Sequence, residues 1–200
     1  MIERPRSVHD DVVKVLISAE EIRERVRAMA AAITRDYESG WESEGASQLV
    51  VVPVLTGAFM FLADLVRELP HMVRIEVVTV SSYPGATTVS KGAALVGVLP
   101  RDLEGKDVLI VDDILDSGQT LGLLLDEIRS RRPRSARSCV FLRKRCQRVR
   151  EIACEYVGFD IPDEFVVGYG LDYDGFYRNL PYVGVLRPGG IPDAAEGPAA

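Results

Sequence analysis

The sequence predicts an α/β fold, a mostly parallel twisted sheet flanked by helices. Three observations carry this expectation. Strand-sized runs rich in β-branched residues alternate with amphipathic segments of helical length. The apolar runs "LVVVPVL" (49–55) and "VLIVD" (108–112) are long enough for buried strands and far too short for membrane spans. At 200 residues, 47% apolar and 27% charged, the chain has the size and composition of a soluble domain with a real core.

The elements follow in chain order. Ser18 and Glu21 form a capping-box pattern, and Ile22, Val26, Met29 and Ile33 recur at helical spacing, so 19–37 reads as an amphipathic helix. "ESGWESEGAS" is a polar loop. "LVVVPV" is a buried strand, whose pairing Pro53 is expected to end. "AFMFLADLVREL" returns to helix and stops at Pro70. "VRIEVVTV" reads as one strand. "SSYPGATTVSKG" is small, polar and too poor in apolar side chains to pack. "AALVGVL" is another strand, and Gly105-Lys106-Asp107 turns into the strand "VLIVD". Residues 119–131 form a helix and "SCVFL" a strand. Short strands and loops occupy 155–186, and "RPGGIPDAAEGPAA" has the composition of a flexible tail. The expected organisation is one domain over 1–186, with a mobile loop at about 81–92 and a tail at 187–200.

Charge and cysteine content narrow the function. The formal charge is −6 and no long basic run occurs, which speaks against a nucleic-acid partner. "MIERPRSVHD" offers no apolar segment for secretion, and no membrane partner is expected. Cys139, Cys146 and Cys154 are odd in number and form no CxxC pair, which fits free thiols in a reducing, cytoplasmic setting.

The chemistry concentrates in "VLIVDDILDSGQTL" (108–121). Two adjacent carboxylates, Asp112 and Asp113, end a buried strand, where they repel each other and resist desolvation. Asp116 follows, then Ser117-Gly118-Gln119-Thr120. Gly118 lets the backbone approach a ligand, Ser117 and Thr120 offer hydroxyl donors, and the N–H groups of the next helix point outward. This is an anion cradle of phosphate size, without the spacing of a P-loop or a Rossmann fingerprint. The acids need another partner, and a ribose diol suits paired carboxylates. The segment therefore reads as a binder of a ribose 5-phosphate unit. The plainer alternative is an aspartate N-capping an ordinary strand-to-helix turn, which would need only one acid.

The same stretch resembles the phosphoribosyl pyrophosphate motif of type I phosphoribosyltransferases. "VLTGAFMFLADLVREL" is similar to the pyrophosphate loop and following helix of the hypoxanthine-guanine branch. "SSYPGATTVSKG" resembles its catalytic loop, and "VGFDIPDEFVVGYGLDYDGFYRNLPYVGVL" its purine-binding region. The resemblance spans 12–186. It implies the type I phosphoribosyltransferase fold, with a small hood built from the terminal segments. It also implies a purine salvage reaction. A phosphoribosyl group passes from phosphoribosyl pyrophosphate to hypoxanthine or guanine, giving IMP or GMP and pyrophosphate. Mg²⁺ is the implied cofactor, and a homodimer or homotetramer the implied assembly.

By the same resemblance, Asp112, Asp113, Ser117, Gly118, Gln119 and Thr120 bind phosphoribosyl pyrophosphate. Asp112, Asp113 and Asp172 serve Mg²⁺. Asp116 handles the proton at purine N7, with Ser82 and Tyr83 closing over the site. Leu55, Thr56, Gly57 and Arg178 contact pyrophosphate. Lys144, Phe165 and Val166 take the purine, with Asp172 beside them. Lys144 donates to the 6-oxo oxygen, Phe165 stacks, and the backbone of Val166 reads the purine's edge. Without the resemblance, Arg143-Lys144-Arg145 would pass for a solvated basic run, and Arg178 for a structural ion-pair partner. Thr56 departs from relatives that carry lysine there and removes a positive charge near pyrophosphate. The resemblance further allows a cis peptide at Leu55–Thr56. A relative acting on xanthine or adenine, or a nucleotide-sensing regulator on the same fold, are the rival readings.

Overall fold

The computed structural model describes residues 7–41, 49–82, 93–95 and 102–187. A short 3-10 turn, Val8–Asp11, leads into strand β1, Val12–Ile17. The sequence reading did not anticipate β1. Val13 and Val15 are half-exposed on it, so its apolar pattern marks no buried face. Helix α1, Ala19–Trp41, follows. Its capping box is formed: the Ser18 N–H donates to Glu21 Oε2 at 2.8 Å, and the Glu21 N–H to Ser18 Oγ at 3.3 Å. The helix runs past 37 into the stretch read as loop. Gly40 costs a helix only about 1 kcal/mol relative to alanine.

Strands β2 (Leu49–Leu55), β3 (Val73–Ile75), β4 (Val78–Ser82), β5 (Ala93–Leu95), β6 (Asp107–Leu115), β7 (Ser135–Lys144) and β8 (Tyr156–Ile161) build the main sheet. Its order is β5-β4-β2-β6-β7-β8, with β3 also paired to β2. Every pairing is parallel except β4 with β5. Helices α2 (Phe59–Glu68) and α3 (Gln119–Ser130) complete the layers.

The expected single strand "VRIEVVTV" is two, and Pro53 helps explain the break. The Val51 carbonyl accepts from Glu76 N–H at 2.9 Å, so Val51 turns its polar groups toward the β3/β4 edge. Pro53, two residues on, faces the same edge. There the ladder passes from β3 to β4, and a missing N–H costs nothing. On the other edge Pro53 stays in register with Val111 of β6, so pairing does not end at the proline as expected.

The sheet is packed on both faces. Leu49, Val51, Leu109, Val111 and Phe141 point to α1 and α2; Val50, Val52, Val108, Ile110 and Val140 point to α3. Both sets are buried, which is why β2 and β6 read as unbroken apolar runs. A second, antiparallel sheet joins β1 to β10 (Val183–Leu186) and β9 (Val166–Val167). It is the expected hood of terminal segments. Tyr177 Oη donates to buried Asp11 at 2.8 Å and ties its two ends together.

This topology places a site before any side chain is considered. From β2 the chain winds outward to β4 and β5, then returns to β6 on the opposite side of β2. The winding reverses between β2 and β6, so a crevice opens beyond their carboxyl ends.

Candidate active site

The crevice is a cleft of about 310 Å³, lined by Leu55, Thr56 and Gly57 after β2 and by Asp112, Asp113 and Asp116 on β6 and just beyond. Ser117, Gly118 and Thr120 also line it, with Asp172 and Arg178 from the C-terminal segment. Eleven of the positions singled out in the sequence thus meet in one place. Among the described residues, Gln119, Lys144, Phe165 and Val166 do not line it. A larger cavity, about 690 Å³, lies between α1, α2 and residues 178–181 and shares only Arg178 with the cleft. It contains none of the acids of β6.

The two acids are held under electrostatic stress. Asp112 is only 5% exposed. Burial pushes its carboxyl well above the ordinary carboxylate range, and the neighbouring Asp113 pushes it further. Burial also raises Asp113, partly offset by hydrogen bonds from Asp112 and the backbone of Ile114 and, to a smaller extent, by Arg178. Asp112 Oδ1 accepts from the Asp113 N–H at 3.0 Å. Gly57 packs directly on Asp113: a Cβ there would lie 1.8 Å from Asp113 Oδ2. Only glycine lets the loop after β2 close on this acid. The Leu55–Thr56 peptide just before it is cis, as the resemblance allowed.

The glycine turn forms where the sequence places it, between β6 and α3. Gly118 adopts φ 77°, and a Cβ there would sit 2.0 Å from the Arg150 carbonyl oxygen. The Arg150 N–H in turn donates to the Ser117 carbonyl at 3.0 Å and braces the loop. Gly118 is the cap of α3 and brings no side chain to its first turn. The reading of an ordinary aspartate N-cap is therefore overturned. The Gln119 N–H makes one long contact, 3.4 Å to Ser117 Oγ. An anion seated here would be met by the N–H groups that open α3.

Asp116 turns away from the helix. Its Oδ2 lies 3.3 Å from Lys144 Nζ, and its Oδ1 3.5 Å from the Cys146 thiol. Lys144, at the end of β7, is not a solvated lysine: its side chain is 13% exposed. It also reaches Asp163 Oδ1 at 3.3 Å. Burial works against its charge, but Asp116 and Asp163 outweigh that and raise its pKa. Phe165 is 55% exposed, with the Tyr173 ring edge-on at 5.4 Å. Val166 buries its side chain within β9. Asp172 is engaged at both oxygens, Oδ2 by Gly175 N–H at 2.8 Å and Oδ1 by Arg178 Nη2 at 2.7 Å. Arg178 Nη1 also donates to the Gly170 carbonyl at 2.5 Å. Ser82 ends β4, and Tyr83 lies outside the described residues, as do 84–92 of the expected loop and 188–200 of the expected tail.

Sequence reasoning missed Cys146 and Asp163. Neither belongs to a local pattern. Both meet Asp116 or Lys144 only because β6, β7 and β8 end side by side.

Comparison with known proteins agrees with this geometry. The phosphoribosyl transferase domain family matches residues 18–174. A hypoxanthine-guanine phosphoribosyltransferase of Mycobacterium avium is 44% identical over 178 residues, covering 89% of this chain and 87% of that protein. The Bacillus subtilis protein of the same name is 40% identical over 178 residues, 89% of this chain and 95% of its own length. A solved hypoxanthine phosphoribosyltransferase from Trypanosoma cruzi, a mutant form complexed with the product IMP, superposes with a TM-score of 0.83 at 40% identity, over 92% of this chain and 96% of that one. The chain belongs to the phosphoribosyltransferase family, in its hypoxanthine-guanine branch.

Proposed function

We propose that the protein transfers the 5-phosphoribosyl group of phosphoribosyl pyrophosphate to N9 of hypoxanthine and guanine, releasing pyrophosphate. The observation that carries this reading is the set of groups gathered at one crevice. The turn Ser117-Gly118 with Thr120, the paired acids Asp112 and Asp113, and Asp116 all line it, and Asp116 is paired with the Lys144 ammonium.

Each group has a task in that reaction. The α3 N-terminus, Ser117 and Thr120 hold the 5-phosphate. Asp112 and Asp113 accept from the ribose hydroxyls, and their charge faces the positive charge that develops on the sugar as the leaving group departs. The backbone around Thr56 and Gly57, with Arg178, holds pyrophosphate. Asp116 takes the proton at purine N7, and Lys144 donates to O6. Phe165 offers its exposed ring for stacking. Ser82 and Tyr83 are assigned to the closing loop, which would keep water from the sugar.

The acids fit Mg²⁺. The donors are oxygens only, and among the described residues no three His, Cys, Asp or Glu side chains converge as a closed cage. Asp112, Asp113 and Asp172 would hold the ion together with substrate oxygens and water, since Mg²⁺ keeps several waters. Bound there, it supplies charge neutralisation at the pyrophosphate.

A homodimer or homotetramer belongs to the same proposal. Phe59 and Met72, 53% and 92% exposed, are apolar side chains that such contacts would cover. So does a cytoplasmic site of action. All three cysteines are free, and among the described residues no helix is long and apolar enough to cross a membrane.

Base choice provides the test. Wild-type Lys144 pairs with O6 but meets only a donor at adenine N6. A hydrogen bond to a charged group contributes roughly 1.5–3 kcal/mol. Lys144→Ala is expected to lower kcat/KM for hypoxanthine and guanine about ten- to a hundredfold and to narrow the gap to adenine. An equal loss for all three bases would return Lys144 to the role of a surface lysine.

A further inference from the structure

We propose that Asp163 is a positioning residue for base selection, clasping the Lys144 ammonium so that it stays aimed at the purine's 6-position. The inference rests on the reading of Lys144 given above and adds a residue to it. Strands β7 and β8 end together, with Lys144 in register with Ile161. The Arg145 N–H donates to the Ile161 carbonyl at 2.9 Å and fixes that junction. Asp163 follows on the loop that leaves β8, and its Oδ1 sits 3.3 Å from Nζ. The same loop carries Phe165 two residues later.

The ammonium is shared by Asp116 and Asp163 at equal distances. A bound 6-oxopurine changes that balance. Asp116 turns its charge to the N7 proton, and Lys144 gives a hydrogen to O6. Asp163 is then the carboxylate still committed to the lysine. It holds a side chain that is 13% exposed in its charged form and in one rotamer. It also ties the group that reads O6 to the loop that presents the stacking ring. Reading and stacking are thereby fixed to each other.

Asp163→Asn keeps the shape and removes the charge. Lys144 is largely buried but the Asp163 side chain is 61% exposed, so solvent screens the pair and a loss of about two- to fivefold in kcat/KM for hypoxanthine and guanine is the scale expected. The loss should fall on KM for the base, with KM for phosphoribosyl pyrophosphate unchanged, and the preference over adenine should shrink. Asp163→Glu keeps the charge and should recover part of the preference. The deciding experiment is a double-mutant cycle with Lys144→Ala, read on hypoxanthine and adenine. If Asp163 acts through Lys144, the double variant is no worse than Lys144→Ala alone. Additive losses, or an unchanged preference in Asp163→Asn beside a narrowed one in Lys144→Ala, would overturn the proposal. If Lys144→Ala itself lowers all bases equally, the reading of Lys144 has failed instead. That arm separates the two failures.

Discussion

Asp116→Asn is expected to lower kcat by about 10²–10⁴-fold, the usual worth of general acid–base help. That corresponds to roughly 3–5 kcal/mol of transition-state stabilisation. The substitution keeps size and hydrogen-bonding shape but removes the proton acceptor. The carboxylate is 53% exposed, and Asp163 remains beside Lys144 when the Asp116 charge is removed, so thermal stability should fall by no more than about 1 kcal/mol. The cradle at Ser117, Gly118 and Thr120 is built from other atoms, so KM for phosphoribosyl pyrophosphate should change little. Steady-state kinetics with the base and the phosphoribosyl donor varied separately make the check. An unchanged kcat would reduce Asp116 to a loop residue that happens to meet Lys144.

Removal of divalent ions is the second large effect. With a chelator and no other divalent ion, turnover should fall to background. Burial already opposes ionisation of Asp112 and Asp113, and the charge of Asp113 opposes that of Asp112 further. Bringing a pyrophosphate to the same cleft adds further negative charge, with Arg178 as its nearby cation and Thr56 where some relatives carry lysine. Restoring Mg²⁺ should restore activity, and Ca²⁺ should serve less well because it favours longer bonds and looser geometry. Full turnover in the chelator would remove the metal from the mechanism.

What could be read from the sequence divides along a physical line. The segment from Val108 to Thr120 was legible because its function is local: a buried strand, two acids and a glycine turn are consecutive, and the structure keeps them so. The capping box at Ser18 and Glu21 was legible for the same reason. Lys144 and Arg178 were not legible from their own neighbourhoods. Only resemblance lifted Lys144 out of a basic run; its burial against Asp116 and Asp163 is a product of three parallel strands ending together. Cys146 and Asp163 had no signal at all, since their partners are distant in sequence. Among the elements, β1 stayed hidden because its valines are exposed. The break between β3 and β4 stayed hidden because it depends on which edge Pro53 presents, a matter of pairing rather than composition.

The central claim is that the crevice between β2 and β6 joins a phosphoribosyl group to a purine selected at its 6-position. Its most direct measurement is an initial-rate panel. Hypoxanthine, guanine, xanthine and adenine are each incubated with phosphoribosyl pyrophosphate and Mg²⁺, and nucleotide and pyrophosphate are both quantified. The account predicts equal amounts of nucleotide and pyrophosphate from hypoxanthine and guanine. It predicts adenine turnover lower by at least about tenfold, the smaller end of what one misplaced donor costs. Adenine used as well as hypoxanthine, or pyrophosphate released with no nucleotide formed from either 6-oxopurine, would contradict it.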